Sequence, residues 1–187
     1  MNQSAHLLID TKCSLGEGPV WHPARQQLFF LDINNKTLFA ASADGQIARR
    51  WHFEQTVAAV AIIDSDHLAI LTDTGLSRLE LESGAQEPII EIEADNPGTR
   101  GNDSRVHPSG AFWIGTMDRT EEEGPIGGLY HFRAGKLTQL KSGARVPNAT
   151  CFSPDGRTAY WTDTPTKQIL KVATDPATGL PQGEWSV

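Results

Sequence analysis

The sequence predicts an all-β fold built from a repeated unit of about 40 to 50 residues. Turns recur near Pro23, Ser65, Pro108 and Pro154, each between two short runs of apolar residues. Runs of that length, bounded by turn residues, are typical of β-strands. No segment has the sustained period of about 3.6 residues that marks an amphipathic helix. Four short strands per repeat indicate a β-propeller of four-stranded blades. A plain β-sandwich is the alternative, but it does not require the repeat.

Each repeat supplies its own set of expected strands. A short strand is expected at 6–15, where Leu7, Leu8 and Ile9 are apolar. The Asp44-Gly45 pair in the first repeat is a hairpin signal. In the third repeat, a polar segment, a Pro-Ser-Gly turn and an apolar strand follow one another over 100–117. The other strands are expected at 20–21, 28–32, 37–41, 47–53, 57–63, 67–72, 76–81, 87–92, 128–132, 136–140, 168–172 and, as a pair, within 148–163.

The geometry of a propeller predicts which polar residues share one face. In an antiparallel pair, the start of one strand lies beside the end of the next. When blades pack radially, residues at these two positions meet at the mouth of the central channel. The residues at such positions are Glu17, Asp32, Thr56, Asp73, Asn102, Thr116, Met117, Asp118, Asn148 and Asp163.

Four of the residues in this region have the chemistry of a binding site. Glu17 and Asn148 offer hard oxygen donors, which suit Ca²⁺, Mg²⁺ or Mn²⁺, with Zn²⁺ a further candidate. Arg100 and Asn102 offer donors and an acceptor for a polyhydroxylated ligand. The alternative is structural, because a glutamate after a glycine is often a solvated loop residue and an Asn-Asp pair often caps a turn.

Other candidates favour structural roles. Asp32 and Asp163 end their strands as repeated turn residues, and His22 and His107 stand at equivalent turns beside a proline. The acidic run 121–123, followed by Gly124, is expected to be a solvated loop, with a lid over the channel mouth as the alternative. The sequence contains no Ser-His-Asp array, HExxH motif or phosphate-binding loop.

Composition narrows the function classes. A net charge of −7 disfavours nucleic acid as a partner, because phosphate binding needs a basic surface. No apolar run has the roughly 20 residues that a membrane helix needs, and no secretory signal is recognisable. Two cysteines without a CxxC spacing, Cys13 and Cys151, favour free thiols in a reducing compartment. A cytoplasmic protein that binds neither nucleic acid nor membrane is therefore expected.

Three motifs resemble the gluconolactonase, regucalcin and senescence-marker-protein family of sugar lactone hydrolases. The first is LGEGPVW at 15–21, and the second is RGND at 100–103 with VHPSG at 106–110 and WIGTM at 113–117. The third is PN at 147–148 with FSPDG at 152–156 and YWTD at 160–163. The motifs cover essentially the whole chain in the order that the N-terminal two thirds of a full family member would show.

The resemblance implies a six-bladed propeller that hydrolyses sugar or aldonic acid lactones with one divalent metal, Ca²⁺, Zn²⁺, Mg²⁺ or Mn²⁺. It implies that Glu17 and Asn148 are metal ligands and that Arg100 and Asn102 hold the substrate. Two positions differ from the family pattern, since Ala149 and Ser104 stand where glycine is usual or frequent. No catalytic residue is expected within the chain, because the family's base is an aspartate in a Pro-Asp-Gly motif that would lie beyond Val187.

The expected domain is one β-propeller over 1–187, incomplete at its C-terminal end, with about four of six blades. Three functional interpretations follow. The chain can be the N-terminal portion of a metal-dependent lactonase, whose activity in isolation is in doubt. It can instead be a shortened, non-catalytic propeller that acts as a binding or interaction module, with self-association through its open blade edges. The third interpretation is a closed propeller of four blades.

Overall fold

Four antiparallel β-sheets, one for each sequence repeat, form the protein. The computed structural model describes residues 4–120, 124 and 126–187. The sheets have the strand orders β1-β2-β3-β4, β5-β6-β7-β8, β9-β10-β11-β12 and β13-β14-β15. The inner strands contact one another in chain order, β1 with β5, β5 with β9 and β9 with β13. This arrangement is a β-propeller, so the predicted all-β fold class is confirmed.

The first two blades contain strands β1 to β8. Their bounds are Gly16–His22, Gln27–Asp32, Thr37–Ser42, Ile47–His52, Ala59–Ile62, His67–Thr72, Gly75–Glu80 and Gln86–Glu91. Blades 3 and 4 contain β9 to β15. Their bounds are Thr99–Val106, Phe112–Asp118, Gly127–Arg133, Lys136–Ala144, Pro147–Phe152, Thr158–Asp163 and Gln168–Ala173. A 3₁₀ turn, Thr164–Thr166, joins β14 to β15.

The strand expected at 6–15 is wrong, because no strand precedes Gly16 in the described part of the chain. Leu7 and Leu8 are 81% and 55% exposed, so their apolar side chains have no sheet face to cover. The acidic segment 121–123 and Pro125 lie outside the described residues, and the loop and lid interpretations stay predictions. Within the described residues, no helix is long and apolar enough to cross a membrane.

Burial follows the position of a strand within its blade. The second strand of blade 3, β10, is buried at every residue because both of its faces are covered. The outermost strand of blade 2, β8, is exposed along most of its length. The apolar residues form two clusters, a large one that joins blades 1, 2 and 3 and a smaller one around Trp113 and Trp161 in blades 3 and 4. Neighbouring blades are therefore held together face to face by apolar packing.

Two buried histidines connect neighbouring blades. His22 and His107 are each 1% exposed. His22 Nε2 lies 3.0 Å from the carbonyl oxygen of Asp64 in blade 2, and His107 Nε2 lies 3.0 Å from that of Gly156 in blade 4. The turn role predicted for them is therefore incomplete, because each imidazole also supplies a hydrogen bond to the turn of the following blade.

Three aspartates fix the polypeptide at the opposite end of the blades. Asp32 accepts the backbone N–H groups of Ser14 and Leu15, and Asp163 accepts those of Arg145 and Val146. In blade 2, Asp73 accepts the Thr56 N–H at 3.0 Å. Each bond ties the end of a second strand to the chain that enters the same blade.

These hydrogen bonds also affect ionisation. Burial opposes the charged form of Asp32, but the bonds from Leu15, Asn35 and Ser14 outweigh it and lower its pKa. Asp32 therefore stays charged at neutral pH, and its interactions agree with the structural role predicted for this position.

The His107 contact predicts a pH-dependent stability. Burial lowers the pKa of His107 below its ordinary value of 6.5. Its Nε2 must carry hydrogen to reach the Gly156 carbonyl, and Nδ1 accepts the Ser109 N–H at 3.0 Å, so the second proton of an imidazolium is not accommodated. Above the ordinary pKa the imidazole is neutral in both states and its stabilisation is complete. As the pH falls below that value, the unfolded state binds the proton first and the stabilisation is lost.

We therefore expect the free energy of unfolding to fall between pH 7.5 and pH 5, as measured by urea denaturation. His107→Gln should be less stable at pH 7.5 and should show a smaller decrease on acidification. The matched control is His6→Gln, because His6 is exposed and should leave the pH dependence unchanged. An unchanged pH slope in His107→Gln would contradict the prediction.

Candidate functional site

The ends of the first and second strands meet at one face of the propeller. Gly16 pairs with Asp32 in blade 1, Thr99 with Asp118 in blade 3, and Pro147 with Asp163 in blade 4. Residues that follow the start of each first strand therefore lie just inside the channel mouth. Three of the proposed site residues, Glu17, Arg100 and Asn148, directly follow the first residue of their strands.

A small cavity lies where these inner strands converge. It has a volume of about 20 Å³, which is close to the room that one water molecule needs. Glu17 of β1, Asn102 of β9 and Asn148 of β13 all line it, although they come from three different blades. The complete lining is Glu17, Gly18, Ile33, Ala58, Ala59, Asn102, Asp103, Ser104 and Asn148.

The two asparagines are oriented by hydrogen bonds between blades 3 and 4. Asn102 Nδ2 donates to the Pro147 carbonyl oxygen at 2.8 Å and lies 3.4 Å from Asn148 Oδ1. Asn148 Nδ2 donates to Thr164 Oγ1 at 2.9 Å on its other side. The Asn148 oxygen therefore faces Asn102 and the cavity, and its nitrogen faces away.

Arg100 lies next to this pair without lining the cavity. Its Nη1 donates to the Gly101 carbonyl oxygen at 2.8 Å and to Asn102 Oδ1 at 3.1 Å. Since Arg100 holds the oxygen of Asn102, the Asn102 nitrogen must point towards blade 4. The guanidinium also places a fixed positive charge at the rim of the mouth.

Both cation-ligand candidates precede a β-bulge. The pairing of β1 with β2 shifts between Glu17 and Val20, and that of β13 with β14 shifts between Asn148 and Cys151. The residue after each candidate has a left-handed backbone, with φ of 59° at Gly18 and 56° at Ala149. A bulge of this kind bends the strand and redirects the side chain beside it. The structure thus gives Ala149 the backbone conformation that glycine adopts most easily.

The second departure from the family pattern, Ser104, makes specific contacts. Its Oγ donates to the Asn102 carbonyl oxygen at 3.0 Å and accepts the Gly115 N–H at 3.2 Å. The hydroxyl therefore supports the segment that carries Asn102. A serine is accommodated here because its side chain satisfies two backbone groups of its own blade.

The donors at the cavity fit a hard divalent cation in part. Glu17 offers an exposed carboxylate and Asn148 an amide oxygen, which are the ligand types that Ca²⁺ and Mg²⁺ prefer. Across residues 4–120, 124 and 126–187, no group of three or more His, Cys, Asp or Glu side chains is arranged to hold a metal ion. Asp103 adds a second carboxylate to the lining of the cavity, and a coordination shell of about six oxygens needs ligands beyond these three residues.

Sequence reasoning missed the interaction that occupies Asp73. Arg119 Nη2 lies 3.0 Å from Asp73 Oδ1 and 3.2 Å from the carbonyl oxygen of Thr99. The guanidinium therefore links blades 2 and 3 beside the start of the strand that carries Arg100. Asp73 lies at the mouth as expected, and its ion pair with Arg119 joins blade 2 to blade 3. The signal for this contact was an arginine directly after the second strand of the next repeat.

The fold and the polar cavity together define a β-propeller with a candidate ligand site at the mouth of its channel. The chain belongs to the SMP-30/Gluconolactonase/LRE-like family, because the family model matches residues 15–186. The family resemblance predicted from the three motifs is therefore confirmed.

Two relatives illustrate the similarity. The L-arabinolactonase of Azospirillum brasilense is 35% identical over 89% of this chain and 56% of its own length. The crystal structure of a calcium-binding protein, regucalcin, from Agrobacterium tumefaciens superposes with a TM-score of 0.89 and 38% identity. That alignment covers 92% of this chain and 58% of the regucalcin chain. The chain thus spans less than two thirds of the length of either protein.

The strained bulge at Ala149 generates a stability prediction. A residue with a Cβ atom loses about 1–2 kcal/mol in the left-handed region, and glycine does not. We expect Ala149→Gly to raise the free energy of unfolding by about 1 kcal/mol after the greater flexibility of glycine is included. Urea denaturation at pH 7.5 measures the difference.

Gly18→Ala is the matched reverse change. It should lower the free energy of unfolding by about 1–2 kcal/mol, since φ is 59° and the new methyl would lie 3.3 Å from Leu31 Cδ1. A loss of stability in Ala149→Gly would contradict the assignment of strain to this bulge.

Proposed function

We propose that this chain provides the cation-binding and substrate-binding part of an enzyme that hydrolyses a sugar lactone to its hydroxy acid. The observation that supports it most is the meeting of Glu17, Asn102 and Asn148 at one cavity from three blades. The similar protein of Azospirillum brasilense is named an L-arabinolactonase, which is consistent with this chemistry. Glu17 and Asn148 are the proposed ligands, and Arg100 and Asn102 the proposed substrate-binding residues.

The carboxylate of Glu17 and Oδ1 of Asn148 would hold one divalent cation. Ca²⁺ is the first candidate because the similar regucalcin is described as calcium-binding, and Mg²⁺, Mn²⁺ and Zn²⁺ are the others. A cation bound there supplies Lewis-acid polarisation of a lactone carbonyl. The Asn148 oxygen is directed towards the cavity because the amide nitrogen donates a hydrogen bond to Thr164 Oγ1 on the other side.

The substrate is held by the pair beside the cavity. Arg100 offers N–H donors in a planar fork to ring and chain hydroxyls of the sugar. Asn102 is fixed by Arg100 on one side and by Pro147 on the other, so it presents a defined surface to the ligand. Fixed donors favour one orientation of the lactone and thereby raise the rate of attack by water.

The general base is proposed to come from outside residues 1–187. Two carboxylates line the cavity, Glu17 and Asp103. Glu17 is the proposed ligand, and Asp103 Oδ2 accepts the Thr150 N–H at 2.7 Å. The resemblance to the family implies that a further carboxylate deprotonates the attacking water. This division fits a chain that spans less than two thirds of its relatives.

The second candidate is a non-catalytic binding module. It is supported by the lining of the cavity, where Glu17 and Asn148 could hold a cation whereas none of the described lining residues is assigned as the general base. The two proposals differ in one measurable respect. A lactonase acidifies a solution of its substrate, whereas a binding module binds the cation and the sugar without releasing protons.

The first test of the lactonase proposal concerns Glu17. In the full-length protein, Glu17→Gln should reduce the rate of acid release from sugar lactones by roughly 100-fold, because a neutral amide binds a divalent cation more weakly. Chelation of the wild-type protein should have a similar effect, and added Ca²⁺ should reverse it. A pH-stat assay measures the rate.

The control for Glu17 is Glu82→Gln, since the Glu82 side chain is 90% exposed on blade 2 and should leave the rate unchanged. Full activity of Glu17→Gln, or of the chelated protein, would contradict the cation role.

The second test concerns Arg100. Arg100→Lys keeps the charge but loses the planar fork, so we expect KM to rise about 10-fold with a smaller change in kcat. Steady-state kinetics on several aldonolactones gives both constants. Arg50→Lys on the exposed outer strand of blade 1 is the matched control. A fall in kcat at constant KM would show that Arg100 does not act through substrate binding.

A further inference from the structure

Two adjacent residues of blade 3 form hydrogen bonds with the backbone of blade 4 on either side of its bulge. Asn102 Nδ2 donates to the carbonyl oxygen of Pro147, which precedes the proposed ligand Asn148. Asp103 Oδ2 accepts the N–H of Thr150 at 2.7 Å. Between these two bonds lie only Asn148 and Ala149. Their backbone is therefore held by the neighbouring blade at the point where β13 leaves its regular pairing.

This bulge needs outside support for two reasons. Ala149 has a φ of 56°, a left-handed conformation that strains a residue with a Cβ atom. Thr150 is 4% exposed, and the shift of register between Asn148 and Cys151 takes its N–H out of the ladder with β14. A buried N–H without an acceptor would destabilise the folded state. The Asp103 carboxylate supplies that acceptor.

Neither reason for outside support applies to the equivalent bulge of blade 1. Its left-handed residue is Gly18, which adopts a φ of 59° without strain. The next residue is Pro19, which has no N–H to satisfy. The sequence of blade 1 therefore forms its bulge locally, whereas the Ala149-Thr150 pair of blade 4 depends on an acceptor from blade 3.

We infer that Asp103 is a positioning residue that fixes the Asn148–Ala149 bulge through the Thr150 N–H and so presents the Asn148 oxygen to the cavity. The inference rests on the proposed function in one respect, that Asn148 is a cation ligand. The alternative role for Asp103 is direct ligation, since it lines the same cavity. The two roles differ in whether a change at Ala149 can compensate for loss of the carboxylate.

Calcium titration of the full-length protein by calorimetry tests the inference. Asp103→Ala should weaken Ca²⁺ binding by about 10-fold to 100-fold, as loss of a residue that orients a metal ligand commonly does. Adding Ala149→Gly to this variant should recover at least part of the affinity, because glycine adopts the bulge without strain. Asp103→Asn, which keeps an oxygen acceptor for the Thr150 N–H, should lose less affinity than Asp103→Ala.

The matched control is Asp155→Ala. Asp155 also accepts a backbone N–H in blade 4, that of Arg157, but it does so in the turn at the opposite end of the blade from the cavity. Its loss should leave Ca²⁺ affinity unchanged. Loss of affinity in Asp103→Ala without any recovery by Ala149→Gly would indicate direct ligation and would overturn the positioning role.

A second measurement separates this inference from the proposed function. Amide hydrogen exchange of Thr150, followed by NMR without added cation, should be slow in the wild type and clearly faster in Asp103→Ala. If the wild type binds no divalent cation, the proposed function fails, and the exchange rate alone decides whether Asp103 holds the bulge. Unchanged protection of Thr150 in Asp103→Ala would overturn the inference.

Discussion

The convergence of the inner strands on one narrow channel is the constraint on which the candidate site depends. Side chains on a regular strand alternate between its two faces, so a strand beside a crowded channel offers few of them to the mouth. The bulges after Glu17 and Asn148 change this alternation locally. Each bulge interrupts the ladder and redirects the side chain that precedes it. The site therefore lies where regular pairing is interrupted, since β9 and β10 also shift register, between Gly101 and Ser104.

Such breaks are tolerated because the surrounding blades are held rigidly at both ends. At the turn end, His22 and His107 supply hydrogen bonds to the backbone of the next blade. At the mouth end, aspartates such as Asp32 and Asp163 accept N–H groups of the entering chain. Apolar packing between the blades is non-directional and cannot by itself set their angle. Buried polar contacts supply the direction, because an unpaired donor or acceptor in these places is costly.

The strands were largely predictable because short apolar runs alternate with turn residues throughout the chain. The run His67–Thr72, for example, has the bounds that its flanking turns predict. The segment around Leu7 failed because apolar character does not provide a neighbouring strand, and these side chains are exposed. Local sequence thus determines which segments are extended, but sheet membership depends on partners that lie elsewhere in the chain.

The sequence predicted the residue types of the candidate site and their place at the mouth of the channel, but not the contacts between them. Oxygen ligands at Glu17 and Asn148 are visible in the sequence, but the Asn102 contact that helps to orient Asn148 comes from blade 3. The partner of Asp103 is Thr150, and recognising it requires the register of β13 on β14, which shifts at that very place. Asp73 was expected at the mouth, but its pairing with Arg119 depends on how blade 3 lies against blade 2. Contacts between repeats cannot be derived from the pattern of one repeat.

Alanine in place of glycine at position 149 adds backbone strain but reduces the conformational freedom of the bulge. Glycine would reach the left-handed conformation without strain, but it would also reach many others, so the orientation of Asn148 would be less restricted. Alanine has fewer accessible conformations, and the Asp103 bond to Thr150 selects the left-handed one from among them. The strain is then offset by a contact that also fixes blade 4 against blade 3. A bulge of this composition orients Asn148 only when the neighbouring blade is in place, which couples the geometry of the site to the assembly of the propeller.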